Sequence, residues 1–229
     1  VHRADCSVKR ERSCFFYYGG AMPKVTSEYR AERRAHIMAA ARRCFVRDGF
    51  HASSMQDLVA EAGISSGAVY RYFASKDEVI EAIAAENLDQ VVAVLAQAIG
   101  EGASPQAALT AVLEFVTTRH REDGFAAIAV LVWSEALRNP PLADHLREAI
   151  TSALATLSGD PHAAPDGGAH GTRTDDTAHH EPTAMAEVLL CVLPGYLMRL
   201  ALGGAEAVAN VPGAVERVLF VTGTSPAHP

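Results

Sequence analysis

Gln56, Ser66, Arg71 and Tyr72 fall within one short run, Ser53 to Lys76, that is otherwise built of small and apolar residues. A guanidinium donates to O6 and N7 of one guanine together. A side-chain amide both donates to and accepts from adenine, and each such pair discriminates by roughly 1–3 kcal/mol. These four side chains are therefore the candidates for reading base edges. Tyr72 is also open to a second role, packing on the preceding helix. Ser65 and Ala68 share the outward face, and Gly67, lacking a side chain, lets the backbone come close to a groove.

Two short helices have to position them. Met55, Leu58, Val59 and Ala62 recur at i, i+3, i+4 and i+7, so one face of the first is apolar. Ser53, three residues before Gln56, reads as its capping-box start, and Ser54 stands beside it. Gly63 sits where a helix end takes a left-handed residue, and Ile64 can plug the angle before a second helix starting at Ser65 or Ser66. Val69 and Phe73, at i and i+4, point inward. An earlier helix, Glu28 to Arg47, carries an apolar stripe of Ile37, Ala40, Ala41, Cys44 and Phe45 flanked by six arginines.

This stretch resembles the tetracycline-repressor (TetR) type of bacterial transcription regulators. The family pattern, an arginine-rich first helix ending near Gly-Phe, then small hydroxyl residues, then Ala-Gly-Ile-Ser-x-Gly-x-x-Tyr-x-Tyr-Phe-x-Ser-Lys-x-x-Leu, runs here from about Arg30 to Ile80. Gly49, Phe50, Ser54, Gly63, Ser65, Gly67, Tyr70, Tyr72, Phe73, Ser75 and Lys76 all match. Ala68 stands where threonine is commoner and Val79 where leucine is. The resemblance implies that Tyr70 and Lys76 hold phosphates, with Ser54 capping the second helix beside the DNA backbone; such contacts position rather than specify. It also implies a homodimer on a near-palindromic double-stranded operator, released by a small-molecule effector, with no cofactor.

Charge divides the chain the same way. Residues 1–76 carry 13 Lys/Arg against 7 Asp/Glu, net +6, and the remainder 7 against 20, net −13. A basic first part suits a phosphate partner, though a solvated helix face would also carry such charge. The longest apolar run, Phe125 to Trp133, is half of the roughly 20 residues that span a bilayer, so no membrane is expected. Phe15 to Tyr18 make no signal-peptide core, and a cytoplasmic, nucleoid-associated location is expected. The four cysteines show no zinc-like spacing and are expected to be reduced and mostly buried. His162, His170, His179 and His180 lie in a segment without ligand spacing, and no metal site is assigned.

The expected fold is all-α with about nine helices: an extension or mis-called start over 1–21, a helix-turn-helix domain over 22–74, and a helical body over 75–229 with a mobile loop at 159–181. A natural start at Met22 is one reading of the N-terminus. A basic arm of Arg3, Lys9, Arg10 and Arg12 reaching a minor groove is the other. Ser75 with Glu78 opens the fourth helix, and Ser104-Pro105 and Asn139-Pro140 open two more. Phe125 to Leu137 is apolar nearly all round, so that helix should be central and buried. Pro194-Gly195 should kink the eighth helix.

In the family, the fourth helix tilts when a ligand enters the body, and the last two helices pair across a two-fold axis. The residues placed at that interface are Met185, Val188, Leu189, Val192, Tyr196, Leu200, Val215 and Val218; the alternative is that this stripe faces its own core. Phe115, Arg119, His120, Phe125, Trp133 and Tyr196 are candidates for the ligand pocket, or ordinary core. An enzyme is not expected, since no phosphate loop, nucleophile elbow or His-Glu-x-x-His motif occurs. The rival DNA-binding class is an architectural or recombination protein, indifferent to sequence and effector.

Overall fold

The computed structural model describes residues 26–158 and 177–220. Among these the chain is all helical: α1 (Ser27–Ala52), α2 (Met55–Ala62), α3 (Ser66–Tyr70), α4 (Lys76–Gly100), α5 (Pro105–Asp123), α6 (Phe125–Ala136), α7 (Pro140–Ser158), α8 (Thr177–Gly203) and α9 (Val211–Phe220), with a 3-10 turn, Ala205–Val208, before the last. The 1–21 extension with its basic arm, the residues at 159–176, Cys6 and Cys14 lie outside the described residues.

Helix starts follow side-chain oxygens that accept the first free backbone N–H groups. Thr26, Ser65, Ser75 and Ser104 each accept from the N–H three residues on, and Asn139 accepts from Leu142. The box opening α2 is one residue later than the Ser53–Gln56 spacing suggests, at the serine that the family resemblance implied. Ser54, not Ser53, is the cap, and Asp57 returns its carboxylate to the Ser54 N–H at 2.8 Å. Ser53 is instead buried and donates to the Gly49 carbonyl. Gly49 interrupts α1 with φ 79°, ψ 170°, which swings Phe50 back under Phe45 in an edge-to-face contact at 4.8 Å.

Two apolar clusters organise the packing. The first gathers Ile37, Cys44 and Phe45 of α1, Leu58 of α2, Val69, Phe73, and Val79 and Ile83 of α4. It does not stop at the proposed boundary near residue 75, because Ile128, Val132 and Leu142 of α6 and α7 belong to it. The second joins Leu109 and Leu113 of α5, Phe125, and Leu197 and Leu200 of α8. The α5–α6 turn docks on α1: Gly124, at φ +75°, leaves room where a Cβ would come within 2.7 Å of Val46 Cγ2. No described helix is long and apolar enough to cross a membrane.

Several expectations need correction. Helix α8 begins at Thr177, inside the segment expected to be loop to 181, because lack of large apolar residues removes an anchor to the core without removing helix propensity. Of the helix-face thiols, Cys44 is buried but Cys191 is exposed. Helix α6 is central but not wrapped on all sides, since its C-cap Leu137 is 87% exposed.

Candidate DNA-binding surface

Gly63 closes α2 in the left-handed conformation (φ 65°, ψ 24°), with its N–H donating back to the Val59 and Ala60 carbonyls. The turn it makes delivers Ser65 as the cap of α3. Val69 and Phe73 then point into the core at 0% and 3% exposure, which fixes the rotation of the five-residue helix. Gln56, Ser65, Ser66, Gly67, Tyr70 and Arg71 are exposed as a result. Ser54, Ala68, Tyr72 and Lys76 are half-buried, and Tyr72 packs against the head cluster.

Helix α1 braces this pair from behind. A ring nitrogen of His36 lies 2.8 Å from the Ala62 carbonyl at the end of α2. Arg43 and Arg47 converge on Glu61 at 2.7 and 3.3 Å, and Arg47 also pairs with Asp48. These guanidiniums hold the Glu61 carboxyl below the usual range, Arg43 first and Arg47 second. The hydroxyl and backbone N–H of Ser54 do the same to Asp57, whereas burial pushes the Cys44 thiol up. Much of the positive charge of α1 is thus committed within the protein. Among the described arginines up to residue 76, Arg30, Arg33, Arg34 and Arg71 make no ion pair, so in this part of the chain they are the ones left for a phosphate partner.

Lys76 has a role that residue types did not reveal. Its Nζ donates to the carbonyls of Phe50 and Ser53 at 2.6 and 2.8 Å, clasping the end of α1 to the start of α4. An ammonium is unfavourable at the N-terminus of its own helix, and the stem carries it to the carbonyl end of another. Of three donors one remains for a phosphate.

The candidate pocket residues separate. Phe125 and Trp133 line a cavity of about 60 Å³ together with Leu88 and Val91 of α4, Leu146 of α7 and Leu197 of α8. Phe115 packs edge-to-face on Phe125 at 6.0 Å. Arg119 donates to Gln90 at 2.6 Å and pairs with Asp123. Buried His120 Nδ1 has no partner. Tyr196 is core, its hydroxyl 2.6 Å from that of Thr117. Asn87, which also lines the cavity, escaped sequence reasoning because an asparagine inside an apolar stripe looks like an interruption.

The residues expected at a dimer interface also divide. Val188 is 55% exposed and Val192 half-buried, and both line a surface groove between α8 and α9 with Val215. Tyr196 and Leu200 are covered by this chain's own core and Val215 very nearly so, and a side chain with no exposed area gains nothing from a second copy. The open apolar face instead carries Met198 and Leu202. Side chains of Met185, Leu189 and Val218, like those of the histidines at 162, 170, 179 and 180, lie outside the described residues.

Comparison with known proteins converges on the first four helices. The family model of bacterial regulatory proteins, tetR family, matches residues 37–83. The HTH-type transcriptional regulator YfiR of Bacillus subtilis is 44% identical over 68 residues, 30% of this chain and 33% of that protein. UidR of Escherichia coli K12, another HTH-type transcriptional regulator, is 32% identical over 114 residues, 50% of this chain and 57% of that one. The chain thus spans between a third and just over half the length of these relatives. Among solved structures, GusR of Salmonella enterica is 25% identical, with a TM-score of 0.61 over 86% of this chain and 97% of that one. The glycine-turned helix pair braced on α1 thus lies within the part of the chain, residues 37–83, that matches the model of bacterial regulatory proteins, tetR family.

Proposed function

We propose that the chain is a sequence-specific DNA-binding regulator, acting as a homodimeric repressor that a small molecule releases from a near-palindromic operator. The observation that carries this reading is the exposed face of α3 with its approach: Ser65, Ser66, Gly67 and Arg71 are exposed on and beside a helix whose opposite side is locked by Val69 and Phe73. Arg71 and Gln56 are the base readers, with Ser66 and Tyr72 beside them. Ser54, Tyr70 and the remaining donor of Lys76 hold phosphates, and Ala68 packs against the groove wall. In a two-fold dimer the α3 helices meet half-sites about one DNA turn, or a multiple of it, apart. The exposed face of α8 and α9 is the surface for the second copy. Residues 22–74 form the reading head and 75–229 the ligand-binding and dimerising body.

The test is fluorescence anisotropy of the full chain on DNA upstream of its own gene, at two salt concentrations, with scrambled DNA as competitor. Tight binding that survives the competitor is the expected result. Binding lost equally to scrambled DNA across a tiled set of neighbouring promoters would replace this reading with the architectural one.

A further inference from the structure

Among the described residues lining the cavity between α4, α6, α7 and α8, Asn87 carries the one side-chain amide; the other lining side chains are apolar apart from the indole N–H of Trp133. Asn87 is 5% exposed. Its Oδ1 accepts from Arg42 of α1 at 2.8 Å, and its Nδ2 has no hydrogen-bond partner. The orientation of the amide is fixed, because a guanidinium only donates and so must face the oxygen. An unpaired buried N–H group is costly, and such groups are rare unless something is meant to meet them. Arg42, itself 4% exposed, donates with its other arm to Glu86 at 2.9 Å. Glu86 and Asn87 are neighbours on α4, so one arginine of the reading head clasps the body helix at two adjacent side chains.

We propose that Asn87 is the recognition donor for an apolar ligand that carries one carbonyl oxygen, and that the Arg42 clasp couples occupancy of this cavity to the position of α1. The inference rests on the reading of the chain as a ligand-responsive regulator. The wall selects the ligand class. With no carboxylate in the lining a cation would find no counter-charge, and the charge of Arg42 is already balanced by Glu86, so an anion would likewise lose its hydration without a free counter-charge. A neutral carbonyl satisfies the Asn87 N–H and leaves its apolar remainder against Phe125, Trp133 and Leu197. Size supplies the coupling. A single benzene-sized ring occupies a cavity of about 150 Å³, and this one holds about 60 Å³. Entry of a ring must therefore part the walls, α4 among them. Since Glu86 and Asn87 both hold Arg42, α4 cannot shift without carrying α1 or breaking the clasp.

Cyclohexanone and methylenecyclohexane, which share a shape and differ in an oxygen against a CH2, are the probes. Trp133 is the sole tryptophan and lines the cavity, so the wavelength of its emission reads occupancy in the full chain without DNA. A purely apolar cavity favours the hydrocarbon, because the ketone must shed water. The expected result is the reverse: the ketone binds about tenfold more tightly, the worth of one buried hydrogen bond, and Asn87→Leu restores the hydrocarbon preference. Equal or tighter hydrocarbon binding by the wild-type chain, uptake of neither probe at millimolar concentration, or a ketone preference that survives Asn87→Leu would each overturn the proposal. The wild-type comparison needs no variant, so a poorly folding Asn87→Leu leaves it decisive. Failure here leaves operator binding by anisotropy untouched, and failure of operator binding leaves these titrations untouched.

Discussion

Replacing Lys76 with methionine keeps the four-atom stem and deletes the ammonium that bridges α4 to the end of α1. Its two hydrogen bonds, at 2.6 and 2.8 Å, go to carbonyls of Phe50 and Ser53, residues only 4% and 3% exposed. Water cannot readily take over for acceptors covered in this way. Hydrogen bonds from a charged donor are each worth about 1.5–3 kcal/mol; because Lys76 is half-exposed, the low end applies and the pair contributes about 2–4 kcal/mol. For a chain of this length each kcal/mol moves the melting temperature by about 2–4 °C. Lys76→Met should therefore melt about 5–15 °C below wild type when followed by circular dichroism at one protein concentration, without DNA. Anisotropy titrations well below that temperature then isolate the third donor. If it holds one phosphate, the slope of log affinity against log salt falls by about 0.9. A melting temperature within a degree of wild type would refute the clasp. A lowered melting temperature with an unchanged slope would leave Lys76 as a structural residue outside the DNA contact.

Arg71→Ala should weaken operator binding by about 1–3 kcal/mol and relax specificity at one base pair, whereas equal loss on all sequences in a mutated-operator panel would make Arg71 a phosphate contact. Gly124→Ala should destabilise the chain by about 1–2 kcal/mol in urea denaturation, because an L side chain resists φ +75° and its Cβ would crowd Val46; a neutral result would show that the α5–α6 turn can relax. The depressed Asp57 carboxyl contributes its cap in full above the ordinary value of 3.8 and loses it as pH falls through the lower folded value. Acid titration of Asp57→Asn should accordingly show a flatter stability loss below about pH 4 than wild type, and identical acid limbs would remove Asp57 from the cap. Leu200→Ala should cost about 2–5 kcal/mol of stability. Val188→Glu should leave the fold intact and shift the sedimentation profile toward monomer; a dimer that persists would place the interface elsewhere.

How far the sequence speaks depends on whether a feature is local. Caps, the left-handed Gly63 and the i, i+3, i+4, i+7 stripe of α2 are decided within a turn or two of chain, so the helix pair and the inward Val69 and Phe73 could be read directly. Even there, periodicity could not choose between Ser53 and Ser54, since adjacent serines offer the same oxygen and only the kink at Gly49 selects which one is buried. The outward face of α3 follows from the same local rule, and with it the list of groove candidates.

What only the tertiary structure decided is which side chains meet across distant segments. Arg42 and Asn87 are 45 residues apart and Lys76 and Phe50 are 26 apart, and no short-range pattern links them. A stripe shows that a helix has an apolar face but not what covers it: Tyr196 and Leu200 share the α8 pattern with Val188, yet the chain's own α5 and α6 cover the first two and leave the third open. Composition likewise counted the arginines of α1 as positive charge for DNA, and packing decided that Arg42, Arg43 and Arg47 are paired with carboxylates of the protein itself. Propensity and capping act through neighbours in the chain, whereas burial and charge pairing act through neighbours in space, which exist only once the helices have packed.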